Sequence, residues 1–145
     1  MTSGAEVEAA AITVVLADDH DIVRSGVRRL LNAEDDVEVV ADAADAEAAL
    51  RSVLVHRPTV LVLDLNMPGQ LTSLAAIPLV RERSPGTAVV ILTMQEDPGF
   101  ARYALRAGAL GYVLKDSANA ELVVAIRRAA AGETHLAPGL SAAVG

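Results

Sequence analysis

The stretch from Val60 to Gly69, VLVLDLNMPG, sets a carboxylate where open sheets do their chemistry. The unbroken apolar run Val60, Leu61, Val62, Leu63 fits a strand buried on both faces, and it stops at Asp64 before Met67-Pro68-Gly69 turns the chain. One acid after one strand usually caps a helix or solvates a loop. Here other apolar runs end in the same manner. Asp18-Asp19 follows Ile12 to Ala17, Thr93 closes the run from Ala88 to Leu92, and Lys115 follows Gly111 to Leu114. If these strands are parallel neighbours, three acids, a hydroxyl and an ammonium meet on one rim of the sheet, where ligands bind in such folds.

Three carboxylates in one crevice repel one another unless a cation sits among them, and oxygen-only ligation favours Mg²⁺ over zinc or copper. Mg²⁺ bound through few carboxylates is completed by water and phosphate oxygens, so the donor set points to phosphoryl transfer. In such a reaction positioning and charge neutralisation dominate. Asp64 is then the nucleophile, forming an acyl phosphate without a general base. Lys115 supplies the cation and Thr93 the hydroxyl donor.

The remaining sequence must hold these groups together. Residues 1–10 read as a frayed lead-in. From Asp21, a stripe of Ile22, Val23, Gly26, Val27, Leu30 and Leu31 predicts an amphipathic helix with Arg24, Arg28 and Arg29 off the stripe. Val37 to Ala41 reads as a strand, and Asp45 caps a helix whose inner face is Ala46, Leu50, Val53 and Leu54. After Gly69, Pro78 predicts a helix that is short, late or kinked. Pro98 suits the first turn of a helix reaching Ala107, where Gly108 stops it. The final helix spans Ala118 to Ala131 with Leu122, Val123, Ile126, Ala129 and Ala130 inward. The Gly-, Ala- and Pro-rich tail from Glu133 to Gly145 reads as a linker. Five strands alternating with five helices imply right-handed crossovers and a doubly wound parallel sheet, expected in the order 2-1-3-4-5.

Composition removes several classes of function. The chain has 145 residues and a net charge of −7, and its only aromatics are Phe100, Tyr103 and Tyr112. An acidic chain without a row of rings offers neither phosphate neutralisation nor a stacking platform, so no nucleic acid is expected on it directly. With no cysteine it has neither disulfides nor thiolate metal sites. The apolar segment from Ala9 to Ala17 lacks a basic start and is too short to span a bilayer. A cytoplasmic protein without membrane contact is expected.

In LADDHDIVRSGVRRLL, VLVLDLNMPG, VVILTM, LRAGALGYVLKD and RRAAAGE, the chain resembles the receiver domain of bacterial two-component response regulators. The similarity is to the NarL/FixJ group, whose full-length members carry a LuxR-type helix-turn-helix. It runs from about Ile12 to Leu136. The resemblance implies a flavodoxin-like (βα)5 fold, with a lead-in over 1–10, a receiver over 11–132, a linker over 133–145 and an effector domain outside this chain. It further implies that Asp64 accepts a phosphoryl group from the phosphohistidine of a sensor histidine kinase. Asp18, Asp19, Asp64 and the backbone carbonyl of Asn66 hold Mg²⁺, with Asp19 the more direct of the acid pair. Thr93 and Lys115 bind the phosphoryl oxygens, and Tyr112 turns inward as Thr93 moves. The switched state is expected to form a homodimer and to control transcription through the effector.

The chain departs from that family at two points. Many receivers carry an acid-glycine pair soon after Met-Pro, where this chain has Gln70-Leu71-Thr72-Ser73. Many have a proline after the active-site lysine, often with a cis bond, where this chain has Asp116. His20, beside the acid pair, reads as a loop histidine packing on a helix start, and His56 and His135 likewise carry no site. Met67 and Met94 read as packing near the rim. Two other classes compete with the switch. A Mg²⁺-dependent aspartyl-phosphate hydrolase needs an acid two residues after the nucleophile, where this chain has Asn66. A pseudo-receiver would lack a rim group, and none is missing.

Overall fold

The computed structural model describes residues 11–137 and Leu140, so the lead-in assigned to residues 1–10 lies outside the described residues. Strands β1 (Ile12–Ala17), β2 (Val37–Ala43), β3 (Val60–Leu63), β4 (Ala88–Thr93) and β5 (Gly111–Leu114) alternate with helices α1 (Asp21–Asn32), α2 (Ala46–His56), α3 (Ser73–Arg83), α4 (Pro98–Ala107) and α5 (Ala118–Ala130). All strand pairings are parallel, in the order β2-β1-β3-β4-β5-β6, which contains the expected 2-1-3-4-5 and adds a sixth strand at the edge.

Side-chain alternation along each central strand divides the core in two. Val15, Ala17, Leu61, Leu63, Val89 and Ile91 face the layer that holds α2, α3 and α4. Val14, Leu16, Val60, Val62, Val90 and Leu92 face α1 and α5, against Val27, Leu31, Leu122 and Ile126. A strand covered on both sides has no solvated face, which is why these segments read as continuous aliphatic runs. Register then fixes the rim. Ala17 pairs with Leu63 and Thr93 with Leu114, so Asp18, Asp64 and Lys115 emerge at one end of the sheet.

Three expectations differ from the structure. Helix α3 continues for 11 residues through Pro78. Thr72 caps it by accepting from the Ala75 amide at 3.1 Å, and Ser73, Ala76, Ile77 and Val80 bury its inner face. Pro78 stands on the exposed side, and helical register puts the carbonyl it leaves unpaired, that of Leu74, one turn back on the same flank. In α1 the stripe that touches the sheet is Val23, Val27, Leu30 and Leu31. Ile22 is 87% exposed and Gly26 is exposed, because a residue one step off the stripe is turned by about 100°.

The third difference lies in the stretch read as linker. His135–Leu136 forms β6, with His135 opposite Gly111 and Leu136 opposite Tyr112. The His135 amide donates to the Leu110 carbonyl and the Ala137 amide to the Tyr112 carbonyl, both at 2.9 Å. Ala137 and Leu140 are buried in the same cluster as Tyr112, and His135 Nε2 lies 2.6 Å from Glu121 Oε1. Small residues and a proline suggested a tether, but the two-residue strand is too short to carry a period. Removing residues 133–145 is expected to lower unfolding free energy by about 2 kcal/mol, from lost apolar burial and two strand hydrogen bonds. An unchanged midpoint in urea denaturation would contradict this packing.

Tyr112 is the bulkiest of the fully buried side chains, and its hydroxyl donates to the Gln95 carbonyl at 2.8 Å. Burial, aided by the nearby Asp97 charge, pushes its pKa up to about 12 from an ordinary 10.0. The native state therefore holds the phenolic proton more tightly than the unfolded chain. This stabilisation is complete below about pH 10 and is lost as pH rises toward 12, a span on the order of 2 kcal/mol. Lys115 titrates with the same sign, so the test is comparative. Tyr112→Phe should show a shallower alkaline loss of stability than the parent, and equal slopes in urea denaturation across this range would refute the assignment.

Candidate functional site

Asp64 leaves β3 at the C-terminal rim, anchored by its amide, which donates to the Ala17 carbonyl at 3.0 Å. Asp18 follows β1 and is tied to β2 by its amide on the Ala43 carbonyl, also at 3.0 Å. Neighbouring strands thus deliver the two acids at equivalent depth, and both are almost fully buried, at 1% and 2% exposure. Lys115, the single lysine of the chain, reaches between them from the end of β5. Its ammonium lies 2.9 Å from Asp18 Oδ2 and 3.2 Å from Asp64 Oδ2. Asp19 stands at the mouth, and one ligand atom from each of Asp18, Asp19, His20 and Asp64 lies within 4.8 Å of the others.

The electrostatics follow from this crowding. Burial holds the Asp64 carboxyl above the ordinary aspartate range and the Asp18 charge adds to the rise, while the Asn66 amide and the Lys115 ammonium pull it down. Burial alone would weaken the Lys115 ammonium, but the carboxylates of Asp18 and Asp64 touching it on two sides outweigh that and hold the lysine above its ordinary value. Among the described residues, the buried side-chain oxygens that make no hydrogen bond are Asp18 Oδ2 and Asp19 Oδ1. Lys115 faces the first only as an ion pair, and His20 Nδ1 lies 3.2 Å from the second. Buried carboxylate oxygens without hydrogen bonds are costly. An oxygen-rich donor set with such atoms fits a hard divalent cation.

The other expected residues are placed as follows. Thr93 is fully buried at the end of β4, and its hydroxyl accepts from the Gln95 amide at 3.2 Å. Tyr112 is buried, and its hydroxyl donates to the carbonyl of the same residue, Gln95. Asn66 meets the pocket through its backbone amide, which donates to Asp64 Oδ1 at 3.2 Å. Asp116 follows Lys115 in a short 3₁₀ turn, Lys115–Ser117, and no peptide bond among the described residues is cis. Met67 packs partly against the core as expected, whereas Met94 is 69% exposed.

Sequence reasoning missed three supporting residues. Ser73, buried in the first turn of α3, donates to the Asp64 carbonyl at 2.5 Å and fixes the peptide of that aspartate. Glu47 of α2 accepts from the Leu71 amide at 3.1 Å and lies where a Cβ on Gly69 would come within 2.9 Å of Oε1. Gly69 also has φ +116, a conformation that favours glycine, whereas the Glu47 carboxylate is the mobile end of a side chain and could shift from a Cβ. Gln95 ties Thr93 to Tyr112. Each is an ordinary polar residue in a loop or first helical turn, with no pattern to single it out. His20, expected to pack on α1, instead turns its ring over the acid pair, with Nδ1 3.3 Å from Asp18 Oδ1.

Comparison with known proteins agrees with this geometry. Residues 14–127 match the response regulator receiver domain model. The oxygen regulatory protein NreC of Staphylococcus epidermidis is 45% identical over 123 residues, covering 85% of this chain and 56% of that protein, so the chain spans little more than half of its length. The crystal structure of a two-component response regulator of the LuxR family from Aurantimonas sp. SI85-9A1 superposes with a TM-score of 0.86 at 38% identity, covering 92% of this chain and 95% of that one. The signal receiver domain of the putative response regulator NarL from Mycobacterium tuberculosis gives 0.80 at 36% identity, covering 85% and 98%. Among the described residues no helix is long and apolar enough to cross a membrane. With its acid pair, central aspartate and lysine converging at the end of a 2-1-3-4-5 parallel sheet, the chain belongs to the response regulator receiver domain family.

Proposed function

We propose that the chain is a phosphorylation-controlled switch in which Asp64 takes a phosphoryl group from the phosphohistidine of a sensor histidine kinase. The observation that carries this reading is the Lys115 ammonium bridging Asp18 and Asp64 beside a third carboxylate. A carboxylate oxygen of Asp64 attacks phosphorus, an O–P bond forms as the P–N bond breaks, and the histidine ring leaves with the electron pair and is reprotonated from solvent. Lys115 is placed to exchange its Asp64 ion pair for phosphoryl oxygens, and the Asn66 amide steadies the attacking carboxylate. Asp18, Asp19, Asp64 and the Asn66 carbonyl are assigned to Mg²⁺. When bound, that ion supplies charge neutralisation for the phosphoryl oxygens.

The Thr93 hydroxyl, now an acceptor from Gln95, turns to donate to the new phosphoryl group. Because Gln95 also accepts from Tyr112, that turn loosens the chain segment between β4 and α4. Charge close to −2 on Asp64 thereby acts on packing as well as on contacts. Homodimerisation and transcriptional control through a LuxR-type domain outside this chain follow from the family reading, which makes the cytoplasm the working compartment. Asn66 offers no acid at the position a phosphohydrolase needs, and all rim groups of an active receiver are present, against a vestigial pocket.

Incubation with a small phosphodonor and Mg²⁺ should add one phosphoryl group per chain by intact mass, and Asp64→Asn should add none. Label surviving in Asp64→Asn would move the acceptor elsewhere, and rapid multiple turnover of the donor would favour the hydrolase. Lys115→Ala should slow labelling by roughly a hundredfold, the usual cost of losing one transition-state charge partner.

The same substitution separates function from stability. Burial holds Asp64 above its unfolded pKa, so at neutral pH its ionised form favours the unfolded chain, and that disadvantage vanishes as pH falls through the folded value. Metal-free Asp64→Asn should therefore unfold at an equal or higher urea midpoint than the parent near neutrality, and the gap should close in acid. A clearly lower midpoint at pH 7 would show that the carboxylate stabilises the fold.

A further inference from the structure

His20 is not used by the phosphoryl-transfer reading, yet its ring leans over the acid pair and its Nδ1 meets a carboxylate oxygen of each acid. It is the residue before α1, but its side chain caps nothing. Its backbone amide donates to Asp18 Oδ1 at 2.8 Å, which fixes the Cα beside the acid pair. Nδ1 then sits 3.2 Å from Asp19 Oδ1 and 3.3 Å from Asp18 Oδ1, although the side chain is 64% exposed and free to point away. The carboxylate oxygen it approaches on Asp19 is one of the two buried oxygens that make no hydrogen bond.

Ligand atoms around a small octahedral cation sit about 2.1 Å from it, hence about 3 Å from each other in cis and about 4 Å in trans. The three carboxylates and the imidazole nitrogen, all within 4.8 Å of one another, come close to that spacing. The added nitrogen changes the chemistry of the set. Carboxylates alone suit Mg²⁺, whereas imidazole suits late first-row ions such as Ni²⁺, Co²⁺ and Zn²⁺, whose affinity for nitrogen rises along the Irving–Williams order.

We propose that His20 is a fourth side-chain ligand of this pocket, through Nδ1, and makes it discriminate in favour of late first-row divalent cations over Mg²⁺. This rests on reading the acid pocket as a cation site. The ion that accompanies phosphoryl transfer would then depend on which divalent cations are abundant, and not on Mg²⁺ alone.

The test uses isothermal titration calorimetry on the full chain with MgCl₂ and, separately, NiCl₂, comparing the parent with His20→Ala and with His56→Ala, whose histidine is exposed at the end of α2. His20→Ala should weaken Ni²⁺ binding by about tenfold or more, within the range set by single metal-site groups, and leave Mg²⁺ affinity within about twofold. His56→Ala should change neither. With Zn²⁺, long-range ¹⁵N–¹H spectra should show Nδ1 of His20 shifting on binding. Equal Ni²⁺ affinity in His20→Ala and the parent, or an unmoved His20 Nδ1 resonance, would overturn the role of His20. Failure of the parent to bind either ion would instead overturn the reading of the pocket itself, and Asp64 labelling reports on phosphoryl transfer independently.

Discussion

Two carboxylates almost removed from water at the end of one sheet are an unfavourable arrangement unless something offsets it. Unit charges about 4 Å apart interact by roughly 4 kcal/mol at the effective dielectric of a protein surface, and burial strengthens this. In this chain the offset is Lys115, whose ammonium touches both Asp18 and Asp64. Every other feature of the rim depends on that contact. It raises the Lys115 pKa, it opposes the rise that burial imposes on Asp64, and it requires β5 to end level with β1 and β3. Since the chain has no second lysine, no other ammonium side chain can take its place.

Meeting that requirement is the work of the sheet. Lys115 is 51 residues from Asp64 and 97 from Asp18 in sequence, and only strand register brings them together. The Asp64 amide bonds to Ala17 and the Asp18 amide to Ala43, so each acid is positioned by the last hydrogen bonds of a parallel ladder. A slip of one residue in β3 would turn Asp64 to the other face and move Leu61 and Leu63 from one core layer into the other. Aliphatic packing on both faces therefore fixes the geometry of the acid and lysine cluster indirectly, through the cost of misregistering Val60 to Leu63.

The parts of this arrangement visible in the sequence were those with a repeat or a punctuation mark. Two-sided burial left continuous aliphatic runs, and their abrupt ends marked Asp18, Asp64, Thr93 and Lys115. Asp45, Pro98 and Gly108 marked helix limits that the structure reproduces. What was not legible lacked such a signal. The sixth strand has two residues and no period, and its worth comes from Tyr112 and Leu140 lying beside it. Pro78 argued against a continuous α3, yet the buried face of that helix outweighs one missing hydrogen bond on its exposed side. Ile22 fitted the apolar stripe by type and stood off it by angle. Ser73 and Glu47 each act through a single side-chain bond to a backbone atom, a role open to many polar residues, Gln95 acts only through its own amide and carbonyl, which almost any residue supplies, and His20 shares its neighbourhood with acids whose positions only the fold defines.

One consequence of the rim's construction concerns how far a change at Asp64 travels. Thr93 Oγ1 and Tyr112 Oη are held by the amide and carbonyl of one residue, Gln95, so neither can leave its place without disturbing that peptide segment. Tyr112 in turn belongs to β5, whose carbonyl at that position receives the Ala137 amide and whose neighbour across the ladder is Leu136 of β6. These contacts are directional, unlike the aliphatic packing beneath them. A receiver whose core is nearly all Ala, Val, Leu and Ile has little freedom to deform continuously. A hydrogen-bonded line thus runs from Thr93 through Gln95 and Tyr112 to Ala137 at the start of the C-terminal segment. It ends where the chain leaves the sheet.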